Sequence, residues 1–103
     1  MNFSNKYDAI ESLIFEKGLK IQGVHFYVDM DLMVVVLNNK KVITRKISAS
    51  ERLGDATPKA LEAYELPGQG AAIYWPALDE DISLKGLLQE ELASAGTFSK
   101  ITV

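Results

Sequence analysis

The densest group of chemically capable side chains in this sequence is Asp79-Glu80-Asp81, preceded by Trp75-Pro76 and followed by Ser83 and the Leu87-Leu88 pair. Carboxylates held side by side can bind a hard cation such as Mg²⁺ or Ca²⁺ through oxygen. Asp79 and Asp81 are therefore the candidate metal ligands, although no EF-hand spacing or further ligand accompanies them. The same acids suit a structural task. Close to a helix start they meet the positive end of its dipole, and Asp81 or Ser83 can cap the first turn. Leu78 and Ile82 on either side favour that reading, because they would pin the loop into a core. Acid–base or glycosidic chemistry needs opposed carboxylates across a cleft, and neighbours on one loop do not supply it.

The other reactive side chains are sparse. His25 is the only histidine, and without a nucleophile elbow a Ser-His-Asp arrangement has no support; a surface position on a strand fits it better. Gly68-Gln69-Gly70 lacks the Lys-Ser/Thr of a phosphate loop and leads into a strand, so turn chemistry explains it. Alternation places Ile73 and Trp75 together in the core and turns Tyr74 outward, where an aromatic can anchor a partner. Arg52 has Asp55, Asp79 and Asp81 as possible partners for a bidentate pair that would tie the middle of the chain to the acidic loop. The candidate interaction residues are thus Arg52, Tyr74, Asp79, Glu80 and Asp81; no catalytic residue and no cofactor is predicted.

These groups need a frame, and composition bounds it. A chain of 103 residues with 48% hydrophobic content builds one core. Cysteine is absent, which removes disulfides and thiolate metal sites. The longest apolar run, Leu32 to Leu37, is far below the roughly 20 residues that cross a bilayer. Residues 1–6 lack the basic and then apolar segments of a signal peptide, so a soluble cytoplasmic chain is expected. The net charge of −3 from 14 acidic and 11 basic residues argues against direct nucleic-acid binding. Lys40, Lys41, Arg45 and Lys46 are the one basic cluster.

Periodicity then places the elements. Tyr7 to Lys17 reads as an amphipathic helix on Tyr7, Ile10, Leu13 and Ile14, capped by Ser4 or Asn5 and stopped by Gly18. A three-strand meander follows. Lys20 to Val28 alternates on Val24, Phe26 and Val28, with a bulge expected at Gly23. Leu32 to Leu37 is wholly apolar and is expected to be buried on both faces. Asn38-Asn39 suits a type I′ turn, and Lys41 to Ile47 reads as a half-exposed edge strand. Ser48 or Ser50 begins a short turn through Leu53. Thr57-Pro58 opens a middle helix on Leu61 and Tyr64 that ends near Pro67. Ala71 to Trp75 is a fourth strand. A last helix begins near Ile82 or Ser83 and runs to Ala93 with Leu84, Leu87, Leu88 and Leu92 as its apolar face, stopped by Ala95-Gly96. Thr97 to Val103 reads as a tail or a short extra strand. The fold class is α+β, a mainly antiparallel sheet of four or five strands packed with N-terminal, middle and C-terminal helices.

Taken together, Ala56-Thr57-Pro58, Tyr64-Glu65-Leu66, Gly70, Ile73-Tyr74-Trp75-Pro76 and Leu78-Asp79-Glu80-Asp81-Ile82-Ser83-Leu84-Lys85-Gly86-Leu87-Leu88 resemble the small bacterial family known as domain of unknown function 2442. The resemblance runs from about Lys20 to Leu88. It divides a single domain, 1–103, into a helical extension (1–18), a family-like core (19–92) and a tail (93–103). Two positions depart from the family pattern: Glu51 stands where members commonly have proline before Arg52-Leu53, and Ala72 where they often have glycine. The resemblance transfers no activity. In some relatives the domain is joined to a helix-turn-helix domain, and in others it is encoded beside a small toxin-like protein. It therefore implies a regulatory or antitoxin-like interaction module with the product of an adjacent gene as the expected partner; the lack of catalytic groups makes it non-enzymatic, and the acidic net charge makes an acidic surface the expected contact with a basic partner site. The alternative is a small-molecule or divalent-metal site at residues 79–81. A second copy of the chain, paired through an exposed edge strand or through the tail, is a further possible partner.

Overall fold

Ile21–Tyr27 (β1), Leu32–Leu37 (β2) and Val42–Lys46 (β3) pair antiparallel in the order β1-β2-β3, the meander expected from their alternation. The computed structural model describes residues 7–102, with side chains over residues 7–94. Val24, Met33, Val35, Leu37 and Ile43 point to one side and are buried. The β1–β2 register slips between Ile21 and Gly23, so the predicted bulge is present and returns Ile21 to the buried side.

β2 departs from its expected burial. Met33, Val35 and Leu37 are covered, whereas Leu32, Val34 and Val36 on the opposite face are only half covered. Flanking strands shield a central strand laterally, so a wholly apolar strand does not require a second packed layer. The β2–β3 turn also differs. Its left-handed residue is Lys40, φ 73°, and not Asn38 or Asn39. The asparagine amides are engaged elsewhere: Asn38 Nδ2 donates to the Gly18 carbonyl and Asn38 Oδ1 accepts from Lys20 N–H, while Asn39 Oδ1 accepts from Lys41 N–H.

Ala72–Trp75 (β4) and Glu80–Ser83 (β5) form a separate two-stranded antiparallel sheet. The fifth strand thus comes from the acidic run. The backbone of residues 97–102, one candidate for it, continues the last helix through the expected stop at Ala95-Gly96; Val103 is outside the described residues.

Among the described residues four α-helices complete the fold. Ala9–Phe15 (α1) is shorter than its apolar stripe suggests, because Asp8 caps it: Glu11 N–H donates to Asp8 Oδ1 at 2.7 Å and Asp8 N–H donates to Glu11 Oε1 at 3.0 Å. Ser4 and Asn5, the expected caps, lie outside the described residues. Gly18 takes the anticipated left-handed conformation at φ 78°. Ser50 caps Glu51–Gly54 (α2), and Thr57 with Pro58 opens Pro58–Glu62 (α3). Ser83 starts Leu84–Thr102 (α4), its Oγ accepting Gly86 N–H at 2.9 Å. Leu84 and Leu87 are buried and Leu88 half-buried, but Leu92 is 61% exposed, so the apolar face of α4 ends a turn earlier than predicted.

The core lies between the inner face of β1–β3 and the layer made by β4, α2, α3 and α4. Trp75 is fully buried there, its Nε1 donating to the Leu61 carbonyl at 2.9 Å and its ring meeting Phe26 edge-on at 6.4 Å. Gly70 joins the layers: Ile21 N–H donates to its carbonyl at 2.8 Å, and at φ 105° a Cβ would stand 2.2 Å from the Ile21 oxygen. That backbone approach admits only glycine.

Candidate functional site

The β1–β2 and β4–β5 hairpins turn in the same way. After β1, Val28–Met30 makes a 3-10 turn and Asp31 takes φ 53°; after β4, Pro76–Leu78 makes a 3-10 turn and Asp79 takes φ 50°. Aspartate is among the few residues that tolerate this left-handed conformation. Both turns grip one segment, Ile47–Gly54. Asp31 accepts Ser48 N–H at 2.9 Å and the Ser48 hydroxyl, and its carbonyl accepts Ile47 N–H at 3.2 Å. The Ser48 hydroxyl, seconded by the Ser48 amide, holds the Asp31 carboxyl below its ordinary range. On the other side Arg52 Nη1 donates to the carbonyls of Asp79 at 2.7 Å and Leu78 at 3.2 Å, with Asp79 Oδ2 at 3.5 Å. Between them the Ser50 hydroxyl donates to Glu80 Oε2 and caps α2.

The predicted residues therefore fall into two groups. Arg52 meets Asp79, and Glu80 meets Ser50 on the same gripped segment. Of the partners considered for Arg52, the structure selects Asp79, and it does so mainly through backbone carbonyls that the left-handed turn presents, not through a bidentate carboxylate. Glu80 lies opposite Trp75 and is half-buried. Tyr74 and Asp81 stand opposite one another on the outward side of the β4–β5 hairpin, away from that cluster. The acids do not cap α4, since residues 80–83 are a strand and Ser83 alone does so.

Chemistry at the acidic run has little to work with. Among the described residues no three His, Cys, Asp or Glu side chains gather to hold a metal ion. Two open depressions flank the α1–β1 connection, one lined by Phe15, Lys20 and Gln69 and the other by Leu13, Leu19 and Asn39. Neither reaches Tyr74 or residues 79–81.

A different surface is open, and the sequence reading passed over it. The outer face of β1–β3 carries Leu32, Val34 and Val36 along its centre, with His25 and Tyr27 on one flank and Val42, Thr44 and Lys46 on the other. Tyr27 is 49% and Val42 53% exposed, and Val28 and Met30 extend the apolar surface around the hairpin tip. None of the acidic residues lies in these strands. The signal was available in the period-two pattern of β1 and β3, but the unbroken apolar run of β2 obscured it.

No helix among the described residues is long and apolar enough to cross a membrane. No curated protein matches the chain. Two solved structures are similar to it. The uncharacterized protein CV0863 from Chromobacterium violaceum is 28% identical with a TM-score of 0.63, covering 86% of this chain and 85% of its own. A protein of unknown function from Rhodospirillum rubrum is 26% identical with a TM-score of 0.61, covering 70% of this chain and 87% of its own. The family model described as "Protein of unknown function (DUF2442)" matches residues 21–93, from the first strand of the meander well into α4, and the chain belongs to that family.

Proposed function

We propose that the domain is a non-enzymatic protein-interaction module that receives an acid-rimmed apolar protein surface on the open face of β1–β3. The carrying observation is that face itself: a central apolar row with exposed Tyr27 and Val42 beside it, and no carboxylate on any of its three strands. Large apolar patches with an aromatic at their margin mark interaction surfaces. Charge supports the choice of partner. Lys46 lies on the face, whereas Glu80 is engaged by the Ser50 hydroxyl and the Asp79 carboxylate stands beside Arg52, off the sheet. The contact surface in this reading is thus the sheet and not the acidic loop. A regulatory, antitoxin-like role accords with the associations implied by the family resemblance, and the product of an adjacent gene is the partner to try first.

The test is a binding titration between the purified domain and that gene product, repeated with Tyr27→Ala combined with Val42→Ala, and separately with Asp81→Asn. The double substitution is expected to weaken binding at least tenfold, and Asp81→Asn to leave it within twofold. Absence of binding by the wild-type domain, or binding indifferent to the double substitution, would overturn the reading.

A further inference from the structure

The outer edges of the sheets are unequally finished. On β1, Tyr64 Oη accepts Val24 N–H at 3.1 Å and donates to the Val24 carbonyl at 3.4 Å, and Ile21 N–H is taken by Gly70. On β4, Glu65 exchanges both backbone hydrogen bonds with Tyr74, at 2.7 and 2.9 Å. β5 is short and carries Asp81. β3 is guarded by charge alone, Arg45 and Lys46: it contains no proline and no bulge, and among the described residues no strand pairs with its far side. Natural sheets usually blunt such edges.

The ladder shows which groups are open. Leu37 N–H donates to the Lys41 carbonyl at 2.9 Å, and Ile47 N–H donates to the Asp31 carbonyl at 3.2 Å. These bonds bracket β3, so its odd-numbered residues bond to β2, and the N–H and C=O groups of Val42, Thr44 and Lys46 point away from the sheet.

We propose that β3 pairs antiparallel with β3 of a second copy of this chain, about a two-fold axis at Thr44, to make one six-stranded sheet. Side-chain chemistry selects this register. Centred on Thr44, the threonine meets its own counterpart, Val42 lies opposite Lys46 and Ile43 opposite Arg45, so no like charges stand directly opposed. A hydrogen-bonded threonine pair is favourable across strands, and the lysine stem covers exposed Val42. Arg45 is already answered by Glu90 of α4 at 3.3 Å. The neighbouring registers fail. An axis at Ile43 opposes Lys46 to Lys40 and Arg45 to Lys41; one at Arg45 or Lys46 sets that cation against itself; one at Val42 drives the strand into the 38–40 turn. Because pairing uses the edge and not the face, the proposal stands or falls apart from the partner reading above.

Sedimentation of the full chain over a concentration series tests it. The wild-type protein is expected to pass from monomer to dimer. Thr44→Lys, at an exposed position, should weaken that association at least tenfold while the far-UV circular dichroism stays unchanged. As the chain has no cysteine, Thr44→Cys adds a single thiol. Directly opposed residues in a hydrogen-bonded pair lie about 5.5 Å apart at Cα, within disulfide reach. Mild oxidation should therefore yield covalent dimer from Thr44→Cys and not from Gln22→Cys. A wild-type protein that stays monomeric, a dimer that survives Thr44→Lys, or equal cross-linking at both cysteine positions would overturn the proposal.

Discussion

Arg52 holds the Leu78-Asp79 turn with a single nitrogen, Nη1, shared between two backbone carbonyls and one carboxylate oxygen. The carboxylate part is weak, because the Asp79 side chain is 91% exposed, and exposed ion pairs contribute about 0–1 kcal/mol. Hydrogen bonds from a charged donor to carbonyls contribute more, discounted here by partial exposure. Arg52→Ala is expected to lower stability by about 1 kcal/mol, a fall in melting temperature of roughly 4–8 °C for a domain of this size. Lys59→Ala, at an exposed position of α3, should leave the melting temperature close to the wild-type value. Equal melting temperatures for the two variants in a thermal scan would refute this account. An arginine-to-acid tie was legible from residue types, and Asp79 was among the named acids. The carbonyl acceptors were not legible, because they depend on the left-handed backbone of Asp79, which side-chain identity does not announce. The repeated spacing of an aromatic followed four positions later by aspartate, Tyr27 to Asp31 and Trp75 to Asp79, was the available hint.

Among the helices, α1 and α4 are fastened by Lys85, whose Nζ lies 2.9 Å from Glu11 Oε2 and 3.5 Å from Asp8 Oδ2. The same two carboxylates cap α1, so one ammonium serves both the helix start and the packing of the helix pair. The Lys85 hydrogen bond is the main cause holding the Glu11 carboxyl below its ordinary range; for Asp8 the Glu11 amide leads, with Lys85 adding to it. The Glu11 hydrogen bond in turn raises Lys85. Carboxyls depressed on folding add stability that is full above their unfolded values near 4 and is lost as pH falls through the folded values. A raised ammonium adds stability that is full below about 10.4 and is lost as pH rises through its folded value. The stability gap between wild type and Lys85→Met is therefore expected to be widest between about pH 5 and 10 and to close toward both extremes. Urea titrations at pH 3, 7 and 11 would show this, and a gap independent of pH would exclude the clamp. The caps at Ser50, Thr57 and Ser83 were readable because each is a local chemistry of three or four residues. Lys85 was not, because its partners are 74 and 77 positions away. The split into two sheets was hidden for the same reason: strand sequences report their faces and leave their neighbours unnamed.

At the scale of the whole molecule, Trp75 is where the layers are joined. It lies on β4, packs on Phe26 of β1 and donates to the carbonyl of Leu61 on α3. Alternation placed it in the core; its indole hydrogen bond belongs to the tertiary structure alone. Trp75→Phe leaves a buried carbonyl without its donor and opens a small cavity, and is expected to cost about 2–4 kcal/mol in urea unfolding followed by circular dichroism. A cost below about 1 kcal/mol would mean that the layers are held elsewhere. Family membership and the α+β class were readable because the closing signature and the strand periods are local, while the open sheet face appeared only once its three strands were set side by side. The grip on Ile47–Gly54 bears on the order in which the chain matures during synthesis. Its first anchor, Asp31 to Ser48, closes across 17 positions within the meander, whereas Ser50 waits for Glu80, 30 positions further along. On the ribosome, where amino-terminal structure forms first, the segment is thus tethered at one end well before its second anchor has been made. A nascent chain halted between those points has its meander residues but lacks β4 and α4, whose Ile73, Trp75, Leu84 and Leu87 complete the layer over the inner apolar face.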